Sequence, residues 1–256
     1  MISSTINIFG KNIPLYGICF FLGIIIAVMT ATFIAPKRKL PRYEIIYSAV
    51  YILVGALIGS KLLFIAVTME MIIKDNIPIE AVLRGGFVFY GGLAGGAAGL
   101  IIYAKQFKMS VDTFCEIYAA VLPLGHAIGR IGCFFAGCCY GIPYDGLLSC
   151  TYQHAIGNTP CGIPLLPIQL IEATALIIVF VFLIIVFFRT RAKWAVTSTY
   201  MILYSVIRFT LEFFRGDKER GYVLSLSVSQ WVSILMLSAA ILLLARIHSS
   251  PKKRQS

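Results

Sequence analysis

Apolar residues run through this chain in long blocks with few charges. Ile13 to Ala35, Ile45 to Val67, Gly85 to Ala104, Leu165 to Phe188, Ala195 to Phe214 and Leu224 to Ala245 each approach or exceed the roughly 20 residues that carry a helix across the hydrocarbon layer. A seventh block, Thr113 to Ala136, is interrupted by Pro123 and several glycines. The pattern predicts an all-α polytopic integral membrane protein of about seven transmembrane helices, one of them a glycine-broken intramembrane segment. No internal repeat divides it, so 1–256 reads as a single transmembrane helical domain. The first block lacks a basic n-region and is too long for the apolar core of a signal peptide, and so reads as a retained helix.

Composition agrees. With 59% hydrophobic and 13% charged residues, most of the apolar surface has no soluble core to hide in and must face lipid. The formal charge of +11 does not point to nucleic acid, because the basic residues sit in short blocks between the apolar runs and therefore report topology. Lys37, Arg38, Lys39 and Arg42 follow the first run, Lys105 and Lys108 the third, Arg189, Arg191 and Lys193 the fifth, and Arg246 with Lys252, Lys253 and Arg254 the last. The opposite loops are poorer in excess positive charge: Lys74 and Arg84 are offset by Glu70, Asp75 and Glu80, and no Lys or Arg occurs from Gly132 to Phe188. The alternation predicts an outer N-terminus and a cytoplasmic C-terminus. Arg215, Lys218 and Arg220, opposed by Asp217 and Glu219, are the exception, placed on the outer side near lipid head groups. The two long loops, Met69 to Arg84 and Gly141 to Pro164, also fall outside; the second carries Cys150 and Cys161, in a compartment that permits disulfides.

Charge inside a membrane segment costs about 2.5 to 3.5 kcal/mol on insertion scales, so buried ionisable residues mark function first. Arg130 lies in His126-Ala127-Ile128-Gly129-Arg130-Ile131-Gly132, where repeated glycines predict a broken helix with backbone amides free for an anion. A guanidinium there suits a phosphate, which it grips with paired hydrogen bonds. Tyr204, Arg208 and Glu212 recur every four residues and share one helix face. An Arg208–Glu212 ion pair that only braces the bundle is the plainer reading of that face. His126, four residues before Arg130, is a candidate general base, and equally a hydrogen-bonding core histidine. Glu172, in Pro167-Ile168-Gln169-Leu170-Ile171-Glu172, is accounted for by helix-start electrostatics, leaving Gln169 as a candidate for a polar head group. The glycines from Gly85 to Gly96 suit close helix packing, while Gly91 and Gly92 also offer an opened backbone beside Tyr90 that would admit a ligand. Cys133, Cys138 and Cys139 raise metal or redox chemistry. They lack paired Cys-x-x-Cys spacing, and buried thiols often serve as small hydrophobes, so neither metal nor cofactor is expected.

These motifs resemble the bacterial prolipoprotein diacylglyceryl transferase family over nearly the whole chain. The resemblance rests on Leu15-Tyr16-Gly17, Gly86 through Gly92, Gly129-Arg130-Ile131-Gly132, Pro167 through Ala173, Tyr204 through Arg215, and Leu226-Ser227-Val228-Ser229-Gln230. It implies an enzyme of the bacterial cytoplasmic membrane that moves diacylglyceryl from phosphatidylglycerol to the lipobox cysteine of a preprolipoprotein. By the same resemblance Tyr16, Arg130, Gly141, Tyr204, Arg208 and Glu212 fall on binding or catalytic positions. Arg130 and Arg208 would hold the lipid phosphate, with His126 and Tyr90 as further catalytic groups and Gly91, Gly92, Gly129 and Gln169 lining the lipid site. The chain departs from the family at three places. Tyr90 stands where the family has histidine, Cys133-Phe134-Phe135-Ala136-Gly137-Cys138 replaces an Asn-Phe-x-Asn stretch, and Lys61 replaces an arginine. Those thiols keep two alternatives open: a related lipid transferase with another acceptor, and a non-catalytic lipid-binding or thiol-redox protein on the same scaffold.

Overall fold

A computed structural model of the chain describes residues 5–8, 11–75, 77–153, 155, 159–217 and 221–249; Lys218, Glu219, Arg220, Lys252, Lys253 and Arg254 lie outside the described residues. Among these, eight α-helices occur: α1 (Leu15–Ile34), α2 (Arg42–Lys74), α3 (Ile79–Arg84), α4 (Phe89–Gln106), α5 (Val111–Ala136), α6 (Ile168–Arg189), α7 (Ala195–Glu212) and α8 (Val228–Ser249). Three small antiparallel hairpins join β1 (Thr5–Ile8) to β2 (Lys11–Pro14), β3 (Cys150–Thr151) to β4 (Pro164–Leu165), and β5 (Tyr222–Val223) to β6 (Leu226–Ser227). Five spans are long and apolar enough to cross a membrane: Leu15–Arg38, Arg42–Lys74, Val111–Ala136, Ile168–Arg189 and Val228–Ala245. The protein is therefore a mostly helical, polytopic membrane protein. Phe21, Met29, Ile178, Leu235 and Leu242 are well exposed on these helices, as a lipid-facing surface requires.

Two expectations change. The Met69 to Arg84 stretch is not one loop, because α2 runs on to Lys74 and α3 occupies Ile79–Arg84. The segment from His126 to Ala136 is not broken either: α5 is continuous through Pro123 and its glycines, and the chain first turns left-handed at Gly137, φ +69°. None of Gly125, Gly129 and Gly132 adopts a positive φ. Their backbone amides are spent within the helix and are not available to an anion.

The chain divides into two compact units, residues 1–31 with 115–256, and residues 32–114. In the second unit α2 and α4 meet through facing glycines. A Cβ on Gly95 would lie 2.1 Å from the Gly55 carbonyl oxygen, and one on Gly91 would lie 2.3 Å from that of Gly59. Lipid offers no hydrophobic drive between helices, so backbones close enough to touch are what hold them. Gly91 is thus a packing residue. The expected opening at Gly91 and Gly92 does not form, since both lie in the first turn of α4, where the Gly92 amide donates to the Val88 carbonyl at 3.2 Å. Lys61 donates to the carbonyls of Val82 and Gly85, both at 3.0 Å, and its ammonium sits 4.7 Å from the Phe87 ring centroid. It fastens the end of α3 to α2.

In the first unit α1 packs on α5 at Gly23 and Gly125, where a Cβ on Gly23 would come within 2.7 Å of the Gly125 carbonyl oxygen. Ala127, Ala173 and Leu176, with Ile131 and Tyr204 against them, lock α5, α6 and α7 together. Glu116, almost fully buried on α5, accepts the Val196 and Thr197 amides at 3.2 and 3.0 Å. It supplies a carboxylate to the open N-terminus of α7. Replacing Gly95 by alanine gains at most about 1 kcal/mol of helix propensity but forces α2 from α4, and overpacking costs about 1–3 kcal/mol. Gly95→Ala is expected to lower the unfolding midpoint in detergent, while Gly17→Ala, whose Cβ meets nothing within 4 Å, is expected not to.

Candidate active site

Buried charges collect in the first unit. Arg130 on α5 donates through Nε to Nε2 of His126 at 3.2 Å and pairs through Nη2 with Glu172 Oε1 on α6 at 3.0 Å. The Glu172 side chain is 1% exposed. On α7 the Arg208 Nη2 lies 2.5 Å from Glu212 Oε2 and donates to Ser229 Oγ on α8 at 3.0 Å. The Arg208 Nη1 is buried and has no hydrogen-bond partner among the described residues. Tyr204, one turn before Arg208, sets its ring 5.6 Å from that of His126 and stacks on Tyr200 at 5.7 Å. Helices α5 to α7 therefore bring His126, Arg130, Gln169, Glu172, Tyr204, Arg208 and Glu212 into one unit, and α8 adds Ser229.

The hydrogen bonding redefines some roles. A neutral imidazole carries one donor and one acceptor nitrogen. Because Nε2 of His126 accepts from Arg130, the proton is on Nδ1 and the lone pair a base would use is engaged. His126 orients the guanidinium. Glu172, read from sequence as a helix-start residue, is instead the counter-charge of Arg130; the need of any intramembrane arginine for a buried carboxylate was the available signal. Ser229, which the sequence offers only within the Leu226 to Gln230 motif, is the hydroxyl partner of Arg208. It sits in the first turn of α8 behind a reciprocal cap, in which the Ser227 amide donates to Gln230 Oε1 at 2.9 Å and the Gln230 amide to Ser227 Oγ at 3.2 Å.

Gln169, 1% exposed, donates to the Cys138 carbonyl at 2.8 Å, which makes it an anchor for the turn after α5. Gly141 joins three segments. It bridges Arg215, its neighbour Ile142 accepts from Leu166, and a Cβ on it would lie 2.4 Å from the Leu166 carbonyl oxygen. Arg215 is held by Asp217 through two contacts of 3.0 Å. Burial nonetheless outweighs Arg215 and lifts the Asp217 carboxyl above its ordinary range. Gly129 differs from the other α5 glycines: a Cβ there meets nothing within 4 Å, so the helix face beside Arg130 is open. Tyr16, half-exposed on α1, lies within electrostatic reach of Arg130 and of Cys133, Cys138 and Cys139. Tyr90, Gly91 and Gly92 belong to the other unit.

The sulfurs of Cys133, Cys138 and Cys139 lie within 4.8 Å of one another. The Cys138 thiol donates to the Cys133 carbonyl at 3.7 Å. Cys150 and Cys161 are free thiols, the latter exposed.

Removing one partner of a buried ion pair strands the other charge and costs about 3–5 kcal/mol, whereas removing both is close to neutral. Arg130→Met is therefore expected to destabilise the protein strongly, and Arg130→Met with Glu172→Leu to recover most of the loss in equilibrium unfolding in bicelles. Equal instability of single and double variants would contradict the pairing.

The profile of the prolipoprotein diacylglyceryl transferase family matches residues 4–246. The chain is 33% identical over 237 residues to phosphatidylglycerol–prolipoprotein diacylglyceryl transferase 2 of Clostridium perfringens, covering 93% of this chain and 92% of the relative. The corresponding transferase of Clostridium tetani is 34% identical, covering 92% and 93%, and that of Finegoldia magna is 29% identical, covering 93% and 92%. With a match across this length, joined to the paired arginines of α5 and α7, the chain belongs to the prolipoprotein diacylglyceryl transferase family.

Proposed function

We propose that this protein transfers the diacylglyceryl group of phosphatidylglycerol to the lipobox cysteine thiol of a prolipoprotein, at the outer face of the bacterial cytoplasmic membrane. The observation that carries the reading is the two guanidinium groups, Arg130 largely enclosed on Glu172 and Arg208 buried on Glu212, each fixed on its helix before any lipid arrives. As the glyceryl C–O bond breaks, negative charge builds on the departing glycerol phosphate. Donors already in place within a dry site stabilise that charge without reorganising. Arg208 Nη1, buried without a partner among the described residues, suits a phosphate oxygen. Tyr204 and Tyr16 supply hydroxyls on neighbouring helices, and the open face at Gly129 gives the glyceryl chain a path beside Arg130.

The same reading has α4 and α7, each of 18 residues, cross the membrane with the five apolar spans, giving seven crossings. The N-terminus is outside and the C-terminus cytoplasmic, following the basic loops. Cys161, exposed in the loop before α6, then reacts with an impermeant maleimide on intact cells; reaction only after lysis would reverse the orientation.

Purified protein given phosphatidylglycerol and a lipobox peptide should add one diacylglyceryl mass to the peptide cysteine. Loss of a single preorganised donor to a developing anion costs about 10²–10³ in rate, so Arg130→Ala and Arg208→Ala are each expected to fall at least that far. Gly129→Leu should leave stability intact and depress transfer, since its side chain meets lipid before protein. A folded wild type that transfers nothing, while a known transferase works alongside it, overturns the reading.

A further inference from the structure

We propose that Cys133, Cys138 and Cys139 form a three-thiolate site for a zinc ion whose fourth coordination position takes the acceptor cysteine. The ligand set rests on local geometry alone; the part given to the fourth position rests on the transfer activity proposed above.

The trio is a product of how α5 ends. The Gly137 amide donates to the Phe134 carbonyl and the Cys138 amide to the Cys133 carbonyl, both at 3.2 Å, with Gly137 left-handed at φ +69°. These are the two bonds of a Schellman ending, which brings the side chain just past the left-handed residue onto the one a turn inside the helix. Here those side chains are Cys138 and Cys133. Cys139 then takes φ +58°, a conformation that costs a residue with a Cβ about 1–2 kcal/mol, and this turn returns its sulfur to the other two. Thiolates on tetrahedral zinc, with Zn–S near 2.3 Å, stand about 3.8 Å apart. Sulfurs already within 4.8 Å of each other reach that spacing by side-chain rotation. Gln169 pins the Cys138 carbonyl at 2.8 Å, so the backbone of the turn is already held.

Among the described residues no fourth Cys, His, Asp or Glu completes the group. Three protein ligands with one open position is the pattern of zinc sites that bind a reactant. Three thiolates on a divalent ion leave one negative charge, and Arg130 and Arg215 are both close enough to Cys139 to interact with it. Arg130 precedes Cys133 by three helical residues, about 4.5 Å along the axis. A sulfur on the zinc would therefore stand beside the group assigned to the lipid phosphate.

The chemistry needs such a group. The nucleophile must be a thiolate, and an ordinary thiol is mostly protonated near neutral pH; His126 spends its acceptor nitrogen on Arg130. A metal-bound thiol is deprotonated outright. Loading zinc releases the three thiol protons to solvent. The acceptor R–SH then displaces water from the fourth position and gives its proton to solvent. Its sulfur forms the C–S bond to the glyceryl carbon while the C–O bond breaks, and the glycerol phosphate departs with the electron pair. The neutral thioether is a weaker ligand and yields its place to water.

The test uses the full chain in detergent. Elemental analysis should find one zinc per wild-type chain, and none in C133S/C138S/C139S. Single Cys138→Ser and Cys139→Ser variants, with circular dichroism as the check on fold, guard against collapse of the triple variant; each should lower zinc occupancy, and Cys161→Ser should retain it. Cobalt(II) loaded in place of zinc should show thiolate charge-transfer bands that shift on adding the lipobox peptide and do not shift with its serine analogue. Chelator-stripped enzyme should lose transfer at least 100-fold and regain it with zinc. Substoichiometric zinc in folded, zinc-supplemented wild type, a cobalt spectrum indifferent to the thiol peptide, or full activity after stripping would each overturn the proposal. A cobalt spectrum that answers the peptide in a protein that transfers nothing would uphold the site and overturn the activity reading instead.

Discussion

A guanidinium in hydrocarbon needs a buried counter-charge, and two such pairs organise the larger unit of this protein. Arg130 and Glu172 tie α5 to α6 at 3.0 Å, and Arg208, held by Glu212 on its own helix, reaches Ser229 on α8 at 3.0 Å. Neither pair is a source of net stability by itself, because desolvation of both ions offsets much of their attraction. What they confer is position. Each guanidinium is oriented by a carboxylate and a neutral acceptor, His126 for Arg130 and Ser229 for Arg208. That is the preorganisation which a developing phosphate charge rewards.

The surrounding framework keeps those positions rigid by close approach of backbones. Gly23 against Gly125 seats α1 on α5, and Gly141 lets the segments after α5, before α6 and after α7 meet where any Cβ would collide. Glu116 of α5 and the Ser227–Gln230 cap satisfy backbone amides at the starts of α7 and α8 that no intrahelical carbonyl can reach. Among the α5 glycines only Gly129 has room for a Cβ, which would meet nothing within 4 Å, so the helix face next to Arg130 is open.

Much of this was legible in the residue pattern. The apolar runs located α1, α2 and α4 to α8 to within four residues except at the end of α2, which runs seven residues further, and the four-residue spacing of Tyr204, Arg208 and Glu212 foretold the ion pair on α7. What the pattern could not carry was pairing between segments far apart in sequence. Glu172 meets Arg130 across 42 positions of chain, and nothing local to either residue names the other. The glycines misled for a related reason. Composition alone does not distinguish a glycine that bends a helix from one that admits a neighbouring backbone, and in α4 and α5 the second use prevails. The three cysteines lack a metal-ligand spacing in sequence, yet the turn at Gly137 draws their sulfurs together.

The proposed arrangement has the guanidinium groups of α5 and α7 hold the lipid phosphate. It is tested most directly by the phosphorus-to-nitrogen distances between phosphatidylglycerol and 15N-guanidino arginine, measured by solid-state dipolar recoupling in the reconstituted protein. Couplings from Arg130 and Arg208 are expected to correspond to about 4 Å, a hydrogen bond plus the P–O bond, with each arginine's coupling abolished when that residue is replaced by methionine. Couplings that survive both replacements, or the absence of any arginine within about twice that distance of bound lipid phosphorus, would contradict it.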